Sequence, residues 1–206
     1  MELLTVKNPA MDQNIYIYYH PATKAGIVID AGDNFAGIMA AIEKHDMTVK
    51  AIMLTHAHYD HMFSAKQLKA ATSAPIYCHA DEKVFMENPS LNLSALTGHD
   101  ITITPDIYLG DGEIIALAGT TLQVIHTPGH TPGGACFYDQ SANLVFTGDT
   151  LFKSSIGRSD FPQGNHTTLI QSIQTKLLTL PTETKIYPGH GASSTIADEK
   201  SNNPFL

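Results

Sequence analysis

The amino-acid sequence predicts an α/β (α+β) protein in which two β-sheets pack face to face, with helices on the outside. Three observations support this prediction. Short apolar, β-prone segments form two series, one in each half of the chain. Segments with helical spacing of apolar residues follow each series. No short-period repeat or linker divides the chain, so we expect a single domain over residues 1–206.

The first series opens with an antiparallel meander. Strands are predicted over residues 3–6, 14–19 and 25–30, because Asn8-Pro9 and His20-Pro21 supply turns between them. Asp33 or Asn34 can cap a helix that runs to about residue 45. The remaining segments of this half are a buried strand at 51–54, a helix at 64–72, a strand at 75–78 and a helix at 80–86.

The second half begins after residues 88–105, which are rich in Asn, Ser, Thr, Gly and Pro and exceed the usual length of a connection. That length favours a functional lid or flap. A helix is predicted over 166–180, where Pro181 stops it. The predicted strands of this half are 107–109, 113–118, 121–126, 134–138, 144–147 and 185–187, and residues 194–200 form one or two helical turns.

Composition argues against several classes of partner. The formal charge of −8 and the scattered positions of Lys and Arg would repel a phosphate backbone, so we expect no nucleic-acid partner. No apolar run is long enough to span a membrane, and the first residues lack a signal-peptide pattern, so we expect no membrane partner. Cys78 and Cys136 lie in apolar segments as small buried thiols. These features together predict a cytoplasmic protein.

The most informative segment is Thr-His-Ala-His-Tyr-Asp-His at 55–61, which directly follows the apolar strand at 51–54. In an extended segment His56 and His58 point to the same side, and a turn then directs Asp60 and His61 elsewhere. One segment can therefore supply two adjacent metal positions. Imidazole and carboxylate ligands without thiolate suit zinc, iron or manganese in a catalytic site, whereas a closed structural zinc site usually recruits cysteines.

Three further candidate ligands stand just beyond a predicted strand, each beside a glycine. These are His130, Asp149 and His190. Glycine allows a sharp turn or a close approach of the backbone at such a position. A lone Gly-His is more often a loop histidine with satisfied hydrogen bonds, but the repeated placement favours a shared metal centre.

These residues, in this order after a meander, resemble the metallo-β-lactamase superfamily of metallohydrolases from about residue 3 to the C-terminus. The neighbourhoods Thr-Pro-Gly-His-Thr-Pro-Gly-Gly at 127–134 and Phe-Thr-Gly-Asp-Thr-Leu-Phe at 146–152 are similar to the glyoxalase II group. Members of that group hydrolyse S-acyl glutathione thioesters such as S-lactoylglutathione. The resemblance implies the metallo-β-lactamase fold, a four-layer αββα sandwich with its site at one sheet edge.

The resemblance also implies a set of ligands and a reaction. It assigns one metal to His56, His58 and His130, a second metal to Asp60, His61 and His190, and a bridging position to Asp149. We expect two divalent ions, zinc in the first place, with iron and manganese as alternatives. A hydroxide between the metals would attack the thioester carbonyl of a small acyl-thiol, and Asp60 would also orient the attacking water.

Two residues are candidates for contact with the substrate. Gly157-Arg158 matches the position of a basic residue that contacts the substrate in glyoxalase II relatives, and Arg158 can bind a carboxylate by a two-pronged contact. An equally weighted interpretation pairs Arg158 with Asp160 in a structural role. His166 is the second candidate because it lies close to the Arg158 loop.

Two other functions remain open. Gly-Arg-x-Asp-Phe-x-Gln-Gly at 157–164 also resembles the persulfide dioxygenases, which hold a single iron on two His and one Asp, here His56, His130 and Asp149. The third function is a catalytically silent metal-binding module, against which the intact ligand set argues. Full-length glyoxalase II has a C-terminal helical domain that adds glutathione contacts, whereas sixteen residues follow His190 here. The substrate thiol could therefore be another small cofactor thiol.

Overall fold

The computed structural model describes all 206 residues and contains two mixed sheets of six strands each. The first sheet consists, in spatial order, of β1 (Glu2–Asn8), β2 (Gln13–Tyr19), β3 (Ala25–Ile29), β4 (Thr48–Met53), β5 (Ile76–His79) and β6 (Ile107–Leu109). The first three strands are antiparallel, as the predicted meander requires. From β3 onward the neighbours run parallel.

The second sheet comes from the second half of the chain. Its strands are β7 (Ile114–Leu117), β8 (Thr120–His126), β9 (Ala135–Asp139), β10 (Leu144–Gly148), β13 (Lys185–Pro188) and β14 (Ser194–Thr195). Between β10 and β13 the chain forms a separate hairpin of β11 (Leu151–Phe152) and β12 (Ser155–Ile156). Their order across the sheet is β14-β13-β10-β9-β8-β7. Only β10 and β13 pair in parallel, so the end of β10 and the end of β13 meet at one edge.

Helices cover the outer faces of both sheets. The α-helices are α1 (Phe35–Lys44), α2 (Tyr59–Met62), α3 (Ala65–Thr72), α4 (Lys83–Met86), α5 (His166–Ser172) and α6 (Ile196–Asn202). The side chain of Asn34 caps α1 by accepting a hydrogen bond of 3.0 Å from the backbone N–H of Gly37, which identifies Asn34 rather than Asp33 as the cap. None of these helices has the length and hydrophobicity that a membrane crossing requires.

Three hydrophobic layers hold the elements together. The layer between the sheets includes Tyr16, Tyr18 and Ile27 on one side and Phe137 and Phe146 on the other. A second layer joins the first sheet to α1, α3 and α4, and a third joins the second sheet to α5 and α6. Strand β2 is buried on both faces, as expected of a strand with apolar layers above and below it. The predicted four-layer αββα sandwich is therefore confirmed.

The structure corrects the long helix predicted over 166–180. Helix α5 ends at Ser172, and the chain continues as a π-helix over Ile173–Leu177. The wider π turn leaves both Ile173 and Leu177 fully buried against the second sheet. Helix α2 and strands β11, β12 and β14 were not predicted, because two to four residues are too few for a periodic pattern.

Candidate metal centre

The predicted ligands lie at one edge of the sandwich, where several strands end. The segment after β4 carries His56 and His58, α2 carries Asp60 and His61, the β8–β9 loop carries His130, and Asp149 and His190 follow β10 and β13. A hydrogen bond of 2.7 Å from the N–H of Asn14 on β2 to the carbonyl oxygen of Gly189 joins the two sheets beside these residues.

Donor atoms of these side chains converge on three overlapping sets. Within each set the ligand atoms lie within 4.8 Å of one another: His56, His58 and His130; His56, His61 and Asp149; Asp60, His61 and His190. The Asp149 carboxylate lies between the outer sets, with Oδ1 3.4 Å from His61 Nε2 and Oδ2 3.7 Å from His130 Nε2. The structure thus brings together all seven side chains that the sequence predicted as metal ligands.

Backbone carbonyls fix the orientation of two of the imidazoles. His130 Nδ1 donates to the carbonyl oxygen of Arg158 at 2.6 Å, and His190 Nδ1 donates to that of Met11 at 3.0 Å. Because a carbonyl can only accept, the proton of each neutral ring is on Nδ1 and the lone pair is on Nε2. Both Nε2 atoms point into the cluster as potential ligands, an arrangement typical of metal-binding histidines.

A buried carboxylate that sequence reasoning missed, Asp30, fixes two more rings. Asp30 accepts hydrogen bonds from the Thr55 N–H and hydroxyl, both at 2.8 Å, and from His61 Nδ1 at 2.9 Å. Since the Thr55 hydroxyl gives its proton to Asp30, its oxygen accepts from His56 Nδ1 at 3.1 Å. The Nε2 atoms of His56 and His61 are therefore the ring nitrogens left to bind a cation. Asp30 directly follows strand β3, the same strand-end placement that marked the other residues.

The residues present fit divalent cations. His56 Nε2 and Asp149 Oδ1 are buried and have no hydrogen-bond partner in the protein, and a buried polar atom without a partner costs about 1–3 kcal/mol. His58 Nδ1 faces His130 Nε2, which carries a lone pair, at 2.9 Å. A cation bound here would give His56 Nε2 and Asp149 Oδ1 the partner that each lacks. A set of N and O ligands without sulfur suits zinc, iron or manganese.

In a fourth cluster, His79, Asp81 and His126, the ring nitrogens that could bind a cation already have partners in the protein. The rings of His79 and His126 stack with centroids 4.0 Å apart and an angle of 13° between planes. His79 Nδ1 accepts from the Asp81 N–H at 3.3 Å, and His126 Nε2 donates to the Pro132 carbonyl oxygen at 2.8 Å. The nitrogens nearest the carboxylate are thus already bonded within the protein, which distinguishes this cluster from the metal centre.

Charge and burial set the protonation of the histidines. Burial lowers the pKa of His56, His58 and His130, so these rings are neutral near pH 7, as metal binding requires. Burial acts on His61 in the same direction, but nearby carboxylates, that of Asp149 foremost, outweigh it and raise its pKa to about 10. A cation that binds His61 therefore has to displace a proton.

Glycine at two strand ends permits the close packing of the site. A Cβ atom on Gly189 would lie 2.2 Å from Asp149 Oδ1 and 2.6 Å from His61 Cε1. Gly148 has a φ of +47°, and a Cβ there would lie 2.3 Å from Thr55 Oγ1. Any larger residue would displace a candidate ligand or its support, which explains the glycines beside Asp149 and His190.

Glu82 connects the two segments that carry the first set of histidines. Its carboxylate accepts from the N–H of Ala57 and from the N–H of Gly133, both at 2.8 Å. The residue is fully buried, and burial raises its pKa to about 7. Nothing in the sequence marked Glu82, because it lay inside the helix predicted over 80–86.

A cavity of about 450 Å³ opens over the donor cluster. Arg158 lines it, and its guanidinium makes two hydrogen bonds to the Asp160 carboxylate, at 2.9 and 2.8 Å, while lying 4.1 Å from the centre of the Phe161 ring. His166 does not line the cavity. It begins α5, and its Nδ1 lies 3.4 Å from the Ser159 hydroxyl.

Residues 88–105, expected to form a lid or flap, provide one wall of the cavity. Leu93, Leu96 and Thr97 line it, the last two from a 3₁₀-helix over Ser94–Thr97. Buried Asn92 holds the base of the segment: its Nδ2 donates to the carbonyl oxygens of Phe85 and Ile101 at 3.0 and 2.9 Å. The Asn92 carbonyl oxygen accepts from the N–H of Tyr59 at 3.0 Å, which ties the wall to the metal-centre segment.

Comparison with known proteins agrees with this geometry. The model of the metallo-beta-lactamase superfamily matches residues 9–190. A Streptococcus pyogenes protein named "probable metallo-hydrolase" is 40% identical over 195 residues, covering 92% of this chain and 84% of that protein. The hydroxyacylglutathione hydrolase GloC of Haemophilus influenzae is 37% identical over 210 residues, covering 100% of this chain and 98% of GloC.

Solved structures give the same result. BLEG-1, described as a B3 metallo-beta-lactamase, superimposes with a TM-score of 0.94 at 36% identity, covering 100% of this chain and 99% of the other. The protein TTHA1623, in a di-iron-bound form, gives a TM-score of 0.87 at 34% identity and covers 100% of both chains.

Proposed function

Because this chain belongs to the metallo-beta-lactamase superfamily, we propose that it is a metal-dependent hydrolase that cleaves the thioester of a small acyl-thiol such as S-lactoylglutathione. The observation that carries the proposal is the convergence of seven His and Asp donors, several without partners, below a cavity of about 450 Å³. The whole-length similarity to GloC supports a thioester as the substrate. The net reaction converts thioester and water into a carboxylic acid and a free thiol.

The proposed ligand sets follow the convergence of donor atoms. One cation would bind His56, His58 and His130, and the other Asp60, His61 and His190, with the Asp149 carboxylate shared between them. We propose zinc for both positions, and the di-iron form of TTHA1623 makes iron the first alternative. When bound, the cations would lower the pKa of a water molecule between them and polarise the thioester carbonyl.

Asp60, beside the cavity, would orient the attacking water. Burial raises the pKa of Asp60, but His61 first and then His190 outweigh it and hold that pKa well below the usual range. Asp60 is therefore a carboxylate that accepts a hydrogen bond from the attacking water and orients it. The thiolate that leaves is stable near neutral pH, so no side chain has to act as a strong general acid.

The test combines metal analysis with two activity assays. We expect protein purified without added metal to contain about two cations per chain and to hydrolyse S-lactoylglutathione. One iron per chain, with oxygen uptake on glutathione persulfide and no hydrolysis, would overturn the proposal in favour of the dioxygenase. Bound metal without activity on any thioester would favour the silent module. A β-lactam belongs in the same assay, since BLEG-1 is described as a B3 metallo-beta-lactamase.

Substitutions at Asp149 and His190 test the proposed sharing of ligands. We expect Asp149→Ala to lower the occupancy of both positions and to abolish hydrolysis, because its carboxylate lies between the two donor sets. His190→Ala should lose about one cation per chain, since its Nε2 belongs to the donor set with Asp60 and His61 and lies 3.2 Å from a ligand atom of each. Metal analysis after dialysis checks both variants. Two full equivalents in Asp149→Ala would contradict the shared role.

A further inference from the structure

The cavity over the metal centre has predominantly apolar walls. Met11, Tyr59, Leu93, Leu96, Phe152 and Phe161 line it around the donor cluster. The side chain of Leu96 is 82% exposed and Met11 is 43% exposed. Large apolar side chains that remain in contact with water at a cavity rim gain free energy when a ligand covers them, at about 25 cal/mol per Å². These walls therefore favour a substrate with apolar groups.

The backbone of Leu93 gives independent support. Its φ is +68°, in the left-handed region where glycine and asparagine are favoured and leucine costs roughly 1 kcal/mol or more. Leucine is therefore not explained by the backbone conformation at this position. The half-buried side chain lines the cavity, so the contact that offsets the strain is the one on the cavity wall.

The guanidinium in the cavity lining is already paired with a carboxylate. Arg158 is the only Lys or Arg in its lining. The guanidinium fork is occupied by the two oxygens of Asp160 and by the face of Phe161. A substrate carboxylate would have to compete with Asp160 for this fork. The formal charge of −8 on the chain adds a general repulsion of anions.

We propose that the cavity selects small thioesters with an apolar acyl group and an uncharged thiol portion, and that Leu93 and Leu96 determine this specificity. The inference rests on the proposed thioester hydrolysis. It makes glutathione, with its two carboxylates, a poorer thiol portion than a neutral one. Leu93 and Leu96 act on binding of the acyl group, not on the reacting atoms.

A set of four substrates tests the selectivity of the metal-loaded protein. The set combines a lactoyl or hexanoyl acyl group with glutathione or uncharged N-acetylcysteamine. We expect the hexanoyl group to raise kcat/KM at least about tenfold over lactoyl, because several additional methylene groups are buried. We also expect N-acetylcysteamine thioesters to exceed their glutathione counterparts about tenfold. Equal or better hydrolysis of S-lactoylglutathione would overturn this inference and leave the proposed function intact; no hydrolysis of any of the four would defeat both.

Two substitutions separate binding of the substrate from folding. Leu96→Ser should raise KM for the hexanoyl substrate about tenfold with little change in kcat, whereas Ile114→Ser, which alters an equally apolar residue that is 59% exposed and outside this cavity, should not. Leu93→Asn should raise that KM similarly while the unfolding midpoint in urea stays the same or rises, because asparagine suits the left-handed backbone. Unchanged KM in both Leu variants would refute their role.

Releasing Arg158 from its partner tests the charge argument. Asp160→Asn should raise kcat/KM for the glutathione thioesters about fivefold to tenfold and leave the N-acetylcysteamine thioesters unchanged. The freed guanidinium can then bind a substrate carboxylate. The gain should shrink at high salt, because an exposed charge pair is screened. No gain on the glutathione substrates would show that the pairing of Arg158 with Asp160 does not set the preference.

Discussion

Glu82 shows how one buried side chain can organise a site without contacting it. The two backbone N–H groups that it accepts from are on the segment with His56 and His58 and on the loop with His130. Both segments depend on the same carboxylate, so their separation is fixed by one rigid group. The cost of burying the carboxylate is visible in its raised pKa of about 7.

Replacing Glu82 by glutamine should destabilise the protein in spite of removing a buried charge. One of the two N–H groups would then face the amide NH₂ group, so a buried donor is left unsatisfied. We expect a loss of about 2–3 kcal/mol in the free energy of unfolding, measured by urea titration at a fixed free concentration of metal, and weaker metal binding. Glu113→Gln, on an exposed residue, is the control and should change stability by less than about 0.5 kcal/mol.

The stability of the wild type should also depend on pH through Glu82. Its pKa is about 7 in the folded protein and near 4.5 when unfolded. Between these values the folded state binds more protons than the unfolded state, so the contribution of Glu82 to stability falls as pH rises from about 5 to 7. Glu82→Gln should lack this component. Parallel stability curves for the two proteins across this range would contradict the assignment.

Single residues differ in how far the sequence reveals them. His130, Asp149 and His190 were predictable because each follows an apolar strand and has a glycine beside it. Asp30 has the same strand-end position and was overlooked, since it has Ile29 and Ala31 beside it and no adjacent glycine. Glu82 could not be found, because its partners are 25 and 51 positions away in the chain and only the folded structure brings them together.

As Glu82 holds two loops of the metal centre, Asn92 holds the base of the segment 88–105 through side-chain hydrogen bonds. We expect Asn92→Ala to raise KM for thioesters about tenfold with metal content unchanged, because the wall of residues 88–105 would lose the side-chain bonds to Phe85, Ile101 and Ser94 that fix its base. Steady-state kinetics and metal analysis of the same sample check this. Asn88→Ala removes a bond to the N–H of Ser90 near the surface of the same segment and should alter KM less than twofold; equal effects would contradict the anchoring role.

Elements with strong periodicity were predicted correctly, and short or irregular ones were not. Apolar runs identified β4 and β10, whereas the hairpin of β11 and β12 has two residues in each strand and carries no pattern. The π turn at Ile173–Leu177 follows from how this segment fits the second sheet. Local spacing of apolar residues is compatible with an α-helix there, so only tertiary packing decides between the two.

At the scale of the molecule, neither sheet carries a complete metal centre. The half of the chain that forms the first sheet supplies His56, His58, Asp60 and His61, and the other half supplies His130, Asp149 and His190. The Tyr16 hydroxyl and the Asn14 side chain, both on β2, donate to the carbonyl oxygen of Pro188 on β13 at 2.8 and 2.9 Å. The sequence predicted two sheets, but the edge at which they meet depends on the parallel pairing of β10 and β13 across about forty residues.

Loss of the layer between the sheets should therefore release metal and unfold the chain together. Phe146 is fully buried and packs on Tyr16, Tyr18 and Tyr187, with ring centroids 5.3 to 5.8 Å apart. We expect Phe146→Ala to lower the free energy of unfolding by about 3–5 kcal/mol. Metal release to a chromogenic chelator and loss of the far-UV circular dichroism signal should share one midpoint; separate midpoints would contradict a single domain. Phe205→Ala, at a side chain 53% exposed, is the control.

The wall formed by the Arg158 loop and the wall formed by residues 93–97 differ in whether a metal ligand depends on them. On one side, the carbonyl of Arg158 orients His130, so a substitution that moves the backbone at Arg158 is transmitted to a metal ligand. On the other side, Leu93 and Leu96 carry apolar side chains, which form no hydrogen bond to a candidate ligand, on a segment fixed at its base by Asn92. The second wall can therefore accumulate substitutions without loss of the metal centre. Libraries aimed at a new substrate range should randomise positions 93, 96 and 97 and leave 157–161 unaltered.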